Sequence, residues 1–287
     1  MILPLTGAVV GTLGGGAWAL NRVALATLRP PSRPVERTPT DLGLQHEDVE
    51  FASGELTLRG WWIEPVGPAR DALAVLTHGW TANAGMMLPL AAALAEAGHP
   101  VLAFDVRAHG RSDPTPVCTV RHYRDDVAAA VRHAGERHPG RPTVLVGHSM
   151  GAAAAALVAA DGHPVQGLAL LACPADVLEV TRGWMRDKGL PGQFLIPLLV
   201  PFWRLQTGEP GLRLRPESRL GDVGVPTVIV QGGQDRRVPP EHAERLARIL
   251  DLPVLRIEDA DHMGLLERPP VHQAVVGLLA DVTRAAL

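Results

Sequence analysis

The chain has 287 residues, 46% of them apolar and 20% charged, which is enough to bury a sizeable core and excludes a disordered or repeat-built polymer. A formal net charge of −3 leaves no basic face for nucleic acid, which binds proteins by releasing counterions from its phosphates. Two cysteines, Cys118 and Cys173, with neither CxxC nor HExxH, exclude a disulfide framework and a zinc cluster and give no sign of a protein-held catalytic metal.

No charged side chain occurs from Met1 to Asn21. About 20 helical residues, each rising roughly 1.5 Å, would cross a hydrocarbon core of roughly 30 Å, so residues 1–21 are expected to be a single-span membrane anchor. Gly7, Gly11 and Gly15 give it a small-residue face. Arg22, Arg29, Arg33 and Arg37 follow, opposed by Glu36, and such a flank puts the remaining chain on the cytoplasmic side. Two alternatives stay open. One is a cleaved signal peptide of a secreted protein, with Ala17-Trp18-Ala19 at the cleavage site, and the other is an apolar tail on a soluble cytoplasmic protein. Residues 22–45, with Pro30, Pro31, Pro34 and Pro39, read as a stiff, exposed linker.

Residues 46–287 alternate short β-rich runs with longer alanine-rich stretches. Strands are predicted at 48–51, 55–63, 73–77, 101–104, 143–146, 167–171, 227–230 and 254–257. Helices are predicted at 85–97, 123–137, 150–160, 240–250 and 270–286. This order implies an α/β fold, a doubly wound and mostly parallel eight-stranded sheet. Residues 176–224 break the rhythm: the stretch holds Pro191, Pro197, Pro201 and Pro210 and is too long for an ordinary connection, so it is expected to be an inserted cap.

The run Val144-Leu-Val-Gly-His-Ser-Met-Gly151 carries an apolar strand into G-x-S-x-G and then into a helix. A serine on so sharp a turn needs small neighbours two residues to either side, which Gly147 and Gly151 supply. Ser149 is the candidate nucleophile. It still needs a base and an acid that orients the base. His262 follows the last predicted strand and Asp235 follows the one before it, so both emerge at the carboxyl edge of the sheet, in the order Ser, Asp, His. Asp259 and Asp261 are the alternative acids. The backbone N–H groups of Trp80 and Met150 are the candidate oxyanion donors, with His78 and Gly79 shaping the turn that carries the first, and His148 reads as a packing residue.

These residues, with Asp105-Val-Arg-Ala-His-Gly-Arg-Ser112, Gly232-Gly-Gln-Asp235 and Asp261-His262, resemble the α/β-hydrolase superfamily, and within it the esterase, monoacylglycerol-lipase-like and serine-aminopeptidase-like members. The resemblance runs from about residue 48 to the end. One departure is Ala108, where the family often has glycine, and Arg107 and His109 in that loop are expected to be structural. The resemblance implies a serine hydrolase acting on small-molecule carboxylic esters through an acyl-serine, without a cofactor. Trp184, Phe194, Phe202 and Trp203 of the cap are the candidates for receiving a hydrophobic acyl chain. Aminopeptidase or thioesterase action is the alternative within the fold, the former using Asp176, Glu179 or Asp187 for a substrate ammonium, and a non-catalytic binding protein is the alternative outside it.

Overall fold

The computed structural model describes residues 5–31, 33–208 and 211–285, the side chains of 5–14 and 212 excepted. Its centre is an eight-stranded sheet of β1 (His46–Ser53), β2 (Leu56–Ile63), β3 (Leu73–Thr77), β4 (Val101–Asp105), β5 (Thr143–His148), β6 (Gly167–Leu171), β7 (Thr227–Gly232) and β8 (Val254–Ile257). The spatial order is β1-β2-β4-β3-β5-β6-β7-β8, parallel from β4 onward, with β2 antiparallel to both β1 and β4. All eight predicted strands are present. The central strands β3 to β6 are buried along their whole length, which is why they read as unbroken apolar runs rather than as alternating ones.

Helices cover both faces. On one lie α3 (Val120–Arg137), α4 (Met150–Ala160) and α7 (Pro240–Leu250); on the other lie α2 (Leu88–Glu96) and α8 (Pro269–Ala285). Ala152 to Ala156 of α4 are fully buried, and their small side chains let this helix sit close over the sheet directly behind the elbow. Helix α3 begins three residues earlier than predicted because the Thr119 side chain accepts from the His122 N–H and caps it.

The connection from β6 to β7 holds two helices, α5 (Val177–Asp187) and α6 (Gly192–Thr207). Pro197 and Pro201 lie inside α6, both on its exposed side, where water can reach the carbonyls left without an N–H partner. The N-terminal helix α1 (Leu5–Thr27) docks on this pair: Leu20, Ala24 and Leu28 pack with Met185, Ile196, Leu199 and Trp203, and the Trp203 indole N–H donates to Thr27 Oγ1 at 3.1 Å.

The expectation of a membrane span at residues 1–21 finds no support: among the described residues no helix is long and apolar enough to cross a membrane, and α1 docks on protein through Leu20, Ala24 and the following Leu28 while residues 15–19 are exposed. Residues 1–4 and the side chains of 5–14 lie outside the described residues. The segment after it is not a free linker either. Pro30 and Pro39 are buried, Leu28 O accepts from the Cys118 N–H at 2.8 Å, and Pro34 O accepts from the Asn83 side chain at 3.1 Å.

Candidate active site

Strand β5 ends at His148, and Ser149 follows with φ 56° and ψ −120°, a conformation rare for a residue with a Cβ. The turn is held by Ser149 N–H donating to Leu171 O at 2.9 Å and by Ala153 N–H donating to Ser149 O at 3.1 Å. Both flanking glycines are sterically required. A Cβ on Gly147 would stand 2.4 Å from Ala152 Cα, and one on Gly151 would stand 2.3 Å from Thr77 O.

The turn after β3 abuts the elbow closely. A Cβ on Gly79 would lie 2.9 Å from Ser149 Cβ, so the His78-Gly79-Trp80 turn borders the candidate nucleophile. The N–H of Trp80 has no protein acceptor among the described residues, and Met150, as the first residue of α4, has no carbonyl within the helix to receive its own. Both N–H groups are therefore available to an oxyanion.

The same turn is locked from behind. His78 Nδ1 donates to Gly79 O at 2.8 Å, while its Nε2 accepts from the Val106 N–H at 3.0 Å. The hydroxyl of Tyr123, the single tyrosine of the chain, lies 3.1 Å from Gly79 O and 3.2 Å from His109 Nε2. Burial pushes His78 down to about 4 and His109 down to about 3, so both rings are neutral and serve as scaffolding. Tyr123 escaped the sequence reading because its partners are backbone and ring atoms far along the chain, and only its uniqueness marks it.

His262 Nδ1 donates to Asp235 Oδ2 at 2.7 Å. The other oxygen of Asp235 accepts from the N–H groups of Arg237 and Val238, each at 2.9 Å. Burial works to raise the Asp235 carboxyl, yet the hydrogen bond and charge of His262 together with those two N–H groups outweigh it and hold the group below the usual carboxylate range. The alternative acids are engaged elsewhere: Asp261 accepts from the Gly264 N–H at 2.7 Å, and Asp259 pairs with Arg268 at 3.1 Å.

His148 does more than pack. Its Nε2 donates to the backbone carbonyl of His262 at 2.8 Å, and the two rings lie 4.7 Å apart, so the residue preceding the nucleophile ties down the residue expected to be its base. Burial, followed by the charge of His262, pushes His148 down to about 3 and keeps it a neutral donor. A hollow of about 530 Å³ lined by Gly233, Gln234, Asp235, Arg237, His262 and Met263, among others, opens beside the pair. A larger one of about 640 Å³ shares no lining residue with it, and its Arg107 and Arg124 are already paired with Asp126 and Asp161.

The four cap aromatics are not gathered at the elbow. Trp203 is 8% exposed and packed on α1 with Phe202 beside it, whereas Phe194 and Trp184 point to solvent at 68% and 53% exposure. The inserted segment reaches the site instead through Val177 and Leu214, which pack with Val120, Ala153 and Met150. The first turn of a helix inside a proline-rich stretch carries no sequence signal of that kind.

The loop after β4 is structural, as expected. Arg107 binds the buried Asp126 through its backbone N–H at 2.9 Å and its Nε at 3.0 Å. Ala108 sits at φ 60°, which explains the family's frequent glycine there, since a Cβ in the left-handed region costs roughly 1–2 kcal/mol. Glycine regains that but frees the unfolded chain by about 0.4–1 kcal/mol. Ala108→Gly is therefore expected to raise stability by up to about 1 kcal/mol, measurable as a higher urea midpoint at unchanged slope; a clear loss of stability would contradict the strain argument.

A doubly wound sheet with a strained serine between strand and helix, and a His–Asp pair at the carboxyl edge, defines the α/β-hydrolase class. Residues 68–200 match the serine aminopeptidase (S33) family. Human monoglyceride lipase is 31% identical over 284 residues, covering 86% of this chain and 93% of its own length. The Escherichia coli (strain K12) protein YfhR is 28% identical over 235 residues, covering 76% of this chain and 73% of its own. Among solved structures, an esterase of Pyrococcus furiosus, Pf2001, superposes with a TM-score of 0.69 at 23% identity, covering 90% of this chain and 97% of the other. The chain belongs to the α/β-hydrolase superfamily, in its esterase- and lipase-like part, and is a hydrolase.

Proposed function

We propose that residues 46–287 form a serine esterase acting on small carboxylic esters with hydrophobic acyl groups, with 176–224 as its cap. The observation that carries this reading is the 2.7 Å His262–Asp235 hydrogen bond, braced by His148 against the strained Ser149 turn. Ser149 Oγ attacks the ester carbonyl carbon and its proton passes to His262 Nε2. The displaced electron pair settles on the carbonyl oxygen, which the N–H groups of Trp80 and Met150 receive. Collapse expels the alcohol oxygen, which takes the proton from His262 and leaves acyl-Ser149. Water then attacks the acyl carbon, gives a proton to His262, and a second collapse returns that proton to Ser149 and frees the acid. Asp235 holds the imidazole in the tautomer these transfers require.

The apolar cluster of Val120, Ala153, Val177 and Leu214 that packs with Met150, the residue after Ser149, supports an acyl group over a charged one. Aminopeptidase action is less well supported, because two of the three candidate carboxylates are engaged, Asp176 with Arg215 at 3.1 Å and Glu179 with Arg245 at 2.5 Å, and the third, Asp187, is exposed. A fluorophosphonate probe, which forms a covalent bond to an activated serine, tests the reading. It is expected to label the wild type and not Ser149→Ala, and nitrophenyl esters are expected to be turned over faster as the acyl chain lengthens. No labelling of the wild type, or labelling that survives the substitution, would remove Ser149 from its role; preference for peptides would remove the ester.

A further inference from the structure

The peptide unit between Gly79 and Trp80 is planar and trans, so the Gly79 carbonyl and the Trp80 N–H point opposite ways from it. Whatever holds the carbonyl therefore aims the N–H. Glycine is required at 79 because a Cβ would stand 2.9 Å from Ser149 Cβ, and the same lack of a side chain leaves this peptide free to turn over about its flanking bonds. Turned over, it would present an oxyanion with a carbonyl oxygen in place of a donor. His78 Nδ1 supplies one restraint on the carbonyl from within the turn.

The second restraint comes from helix α3. Thr119 caps that helix and its carbonyl accepts from the Tyr123 N–H at 3.0 Å, so the fully buried tyrosine ring leaves the first turn of α3 toward Gly79. The hydroxyl has one proton and two acceptors within reach, Gly79 O at 3.1 Å and His109 Nε2 at 3.2 Å. The partners of His109 decide between them. Its Nδ1 lies 2.9 Å from Arg107 O, which can only accept, so Nδ1 carries the proton of the neutral ring and Nε2 keeps a lone pair. The Thr81 N–H donates to that lone pair at 3.3 Å. The tyrosine proton is left for Gly79 O, where without it two oxygens would meet. Burial holds the phenol well above its ordinary value, so the proton is retained at neutral pH.

We propose that Tyr123 is a positioning residue of the oxyanion site: by donating to Gly79 O beside His78, it keeps the Gly79–Trp80 peptide from turning over and strengthens the Trp80 N–H as a donor. Hydrogen bonds in a chain polarise one another, so a peptide whose oxygen accepts two of them donates more strongly at its nitrogen. This role rests on the reading of Ser149 as nucleophile, and it belongs to a side chain that touches neither substrate nor reacting atom.

Tyr123→Phe, which removes the hydroxyl and keeps the ring, tests it. Ester kcat is expected to fall about tenfold at unchanged KM, short of the roughly hundredfold or more that follows outright loss of an oxyanion donor. A boronic acid, whose tetrahedral adduct with serine puts an oxygen where the oxyanion forms, should bind about tenfold more weakly, and the carboxylic acid product as well as before. Val127→Ala, one turn further along α3 in the same core, loosens the helix without touching the hydroxyl and should keep the wild-type kcat. With isotope-labelled tryptophan, the Trp80 amide resonance, identified by its absence in Trp80→Phe, should move in Tyr123→Phe while those of the other five tryptophans stay in place. Unchanged kcat in Tyr123→Phe, an equal fall in Val127→Ala, or an unmoved Trp80 amide overturns the proposal. Wild type that neither turns over esters nor binds the boronic acid removes Ser149 from its role, and this role of Tyr123 with it, whatever the amide does.

Discussion

Ser149→Ala is expected to lower ester kcat by about ten-thousand-fold or more while the protein keeps its wild-type circular dichroism and melting temperature. The size follows from how the machinery is divided. Nucleophile, base and acid act as one unit, so losing any member removes nearly all of their joint contribution, and what survives comes from oxyanion donors and binding. Trp80 and Met150 keep their N–H groups in the variant. For the same reason Ser149→Ala/His262→Ala should be scarcely slower than Ser149→Ala alone, and Asp235→Asn should fall by a comparable factor through the wrong imidazole tautomer. Fold should be spared, because the turn is held by backbone bonds to Leu171 and Ala153 and not by the hydroxyl. Full activity in Ser149→Ala, measured with nitrophenyl esters, would end the assignment.

Acidification should unfold the protein well before its carboxylates titrate. His78, His109 and His148 are buried and neutral, pushed to about 4, about 3 and about 3, whereas in the unfolded chain each titrates near 6.5. Folded values below unfolded ones mean that this stability is complete above about pH 6.5. It is lost as pH falls, because the unfolded chain binds protons the folded one excludes. Each ring removes about 1.4 kcal/mol per pH unit in that window, so three remove about 4. By pH 5 the loss is on the order of 6 kcal/mol, against a typical total of about 5–15. Urea midpoints taken from pH 7.5 to pH 5 should fall steeply, and His109→Gln should lessen the slope by about a third. A midpoint that stays level over this range would mean that the three rings are protonated in the folded state.

Much of the site was readable before any coordinates because an open parallel sheet sends its functional side chains to one edge. A histidine after β8 and an aspartate after β7 had to come out at the edge that carries the serine after β5; the two are hydrogen-bonded to each other, and His148, next to Ser149, binds the His262 carbonyl. The glycines at 147 and 151 were readable for a related reason, since the approach of β5, α4 and the turn after β3 leaves no room for a Cβ. His148 packs as expected, but its hydrogen bond could not be read from the sequence because the partner is a main-chain carbonyl 114 positions away, which no residue pattern announces. Helix α6 was missed because Pro197 and Pro201 read as breakers, a rule that weakens where the lost hydrogen bonds face water. The span expected at residues 1–21 lacks support because hydropathy measures only escape from water, and the C-terminal half of α1 meets that need on protein through Leu20 and Ala24.

The contact between α1 and α6 also has a bearing on how the chain is made. Ala24 and Trp203 are 179 positions apart, and a ribosome adding roughly 5–20 residues per second needs about ten to forty seconds to produce the second after the first. Throughout that interval the docking side of α1 is uncovered in the nascent chain, so α1 is a segment on which a chaperone would be expected to act until α6 has been made.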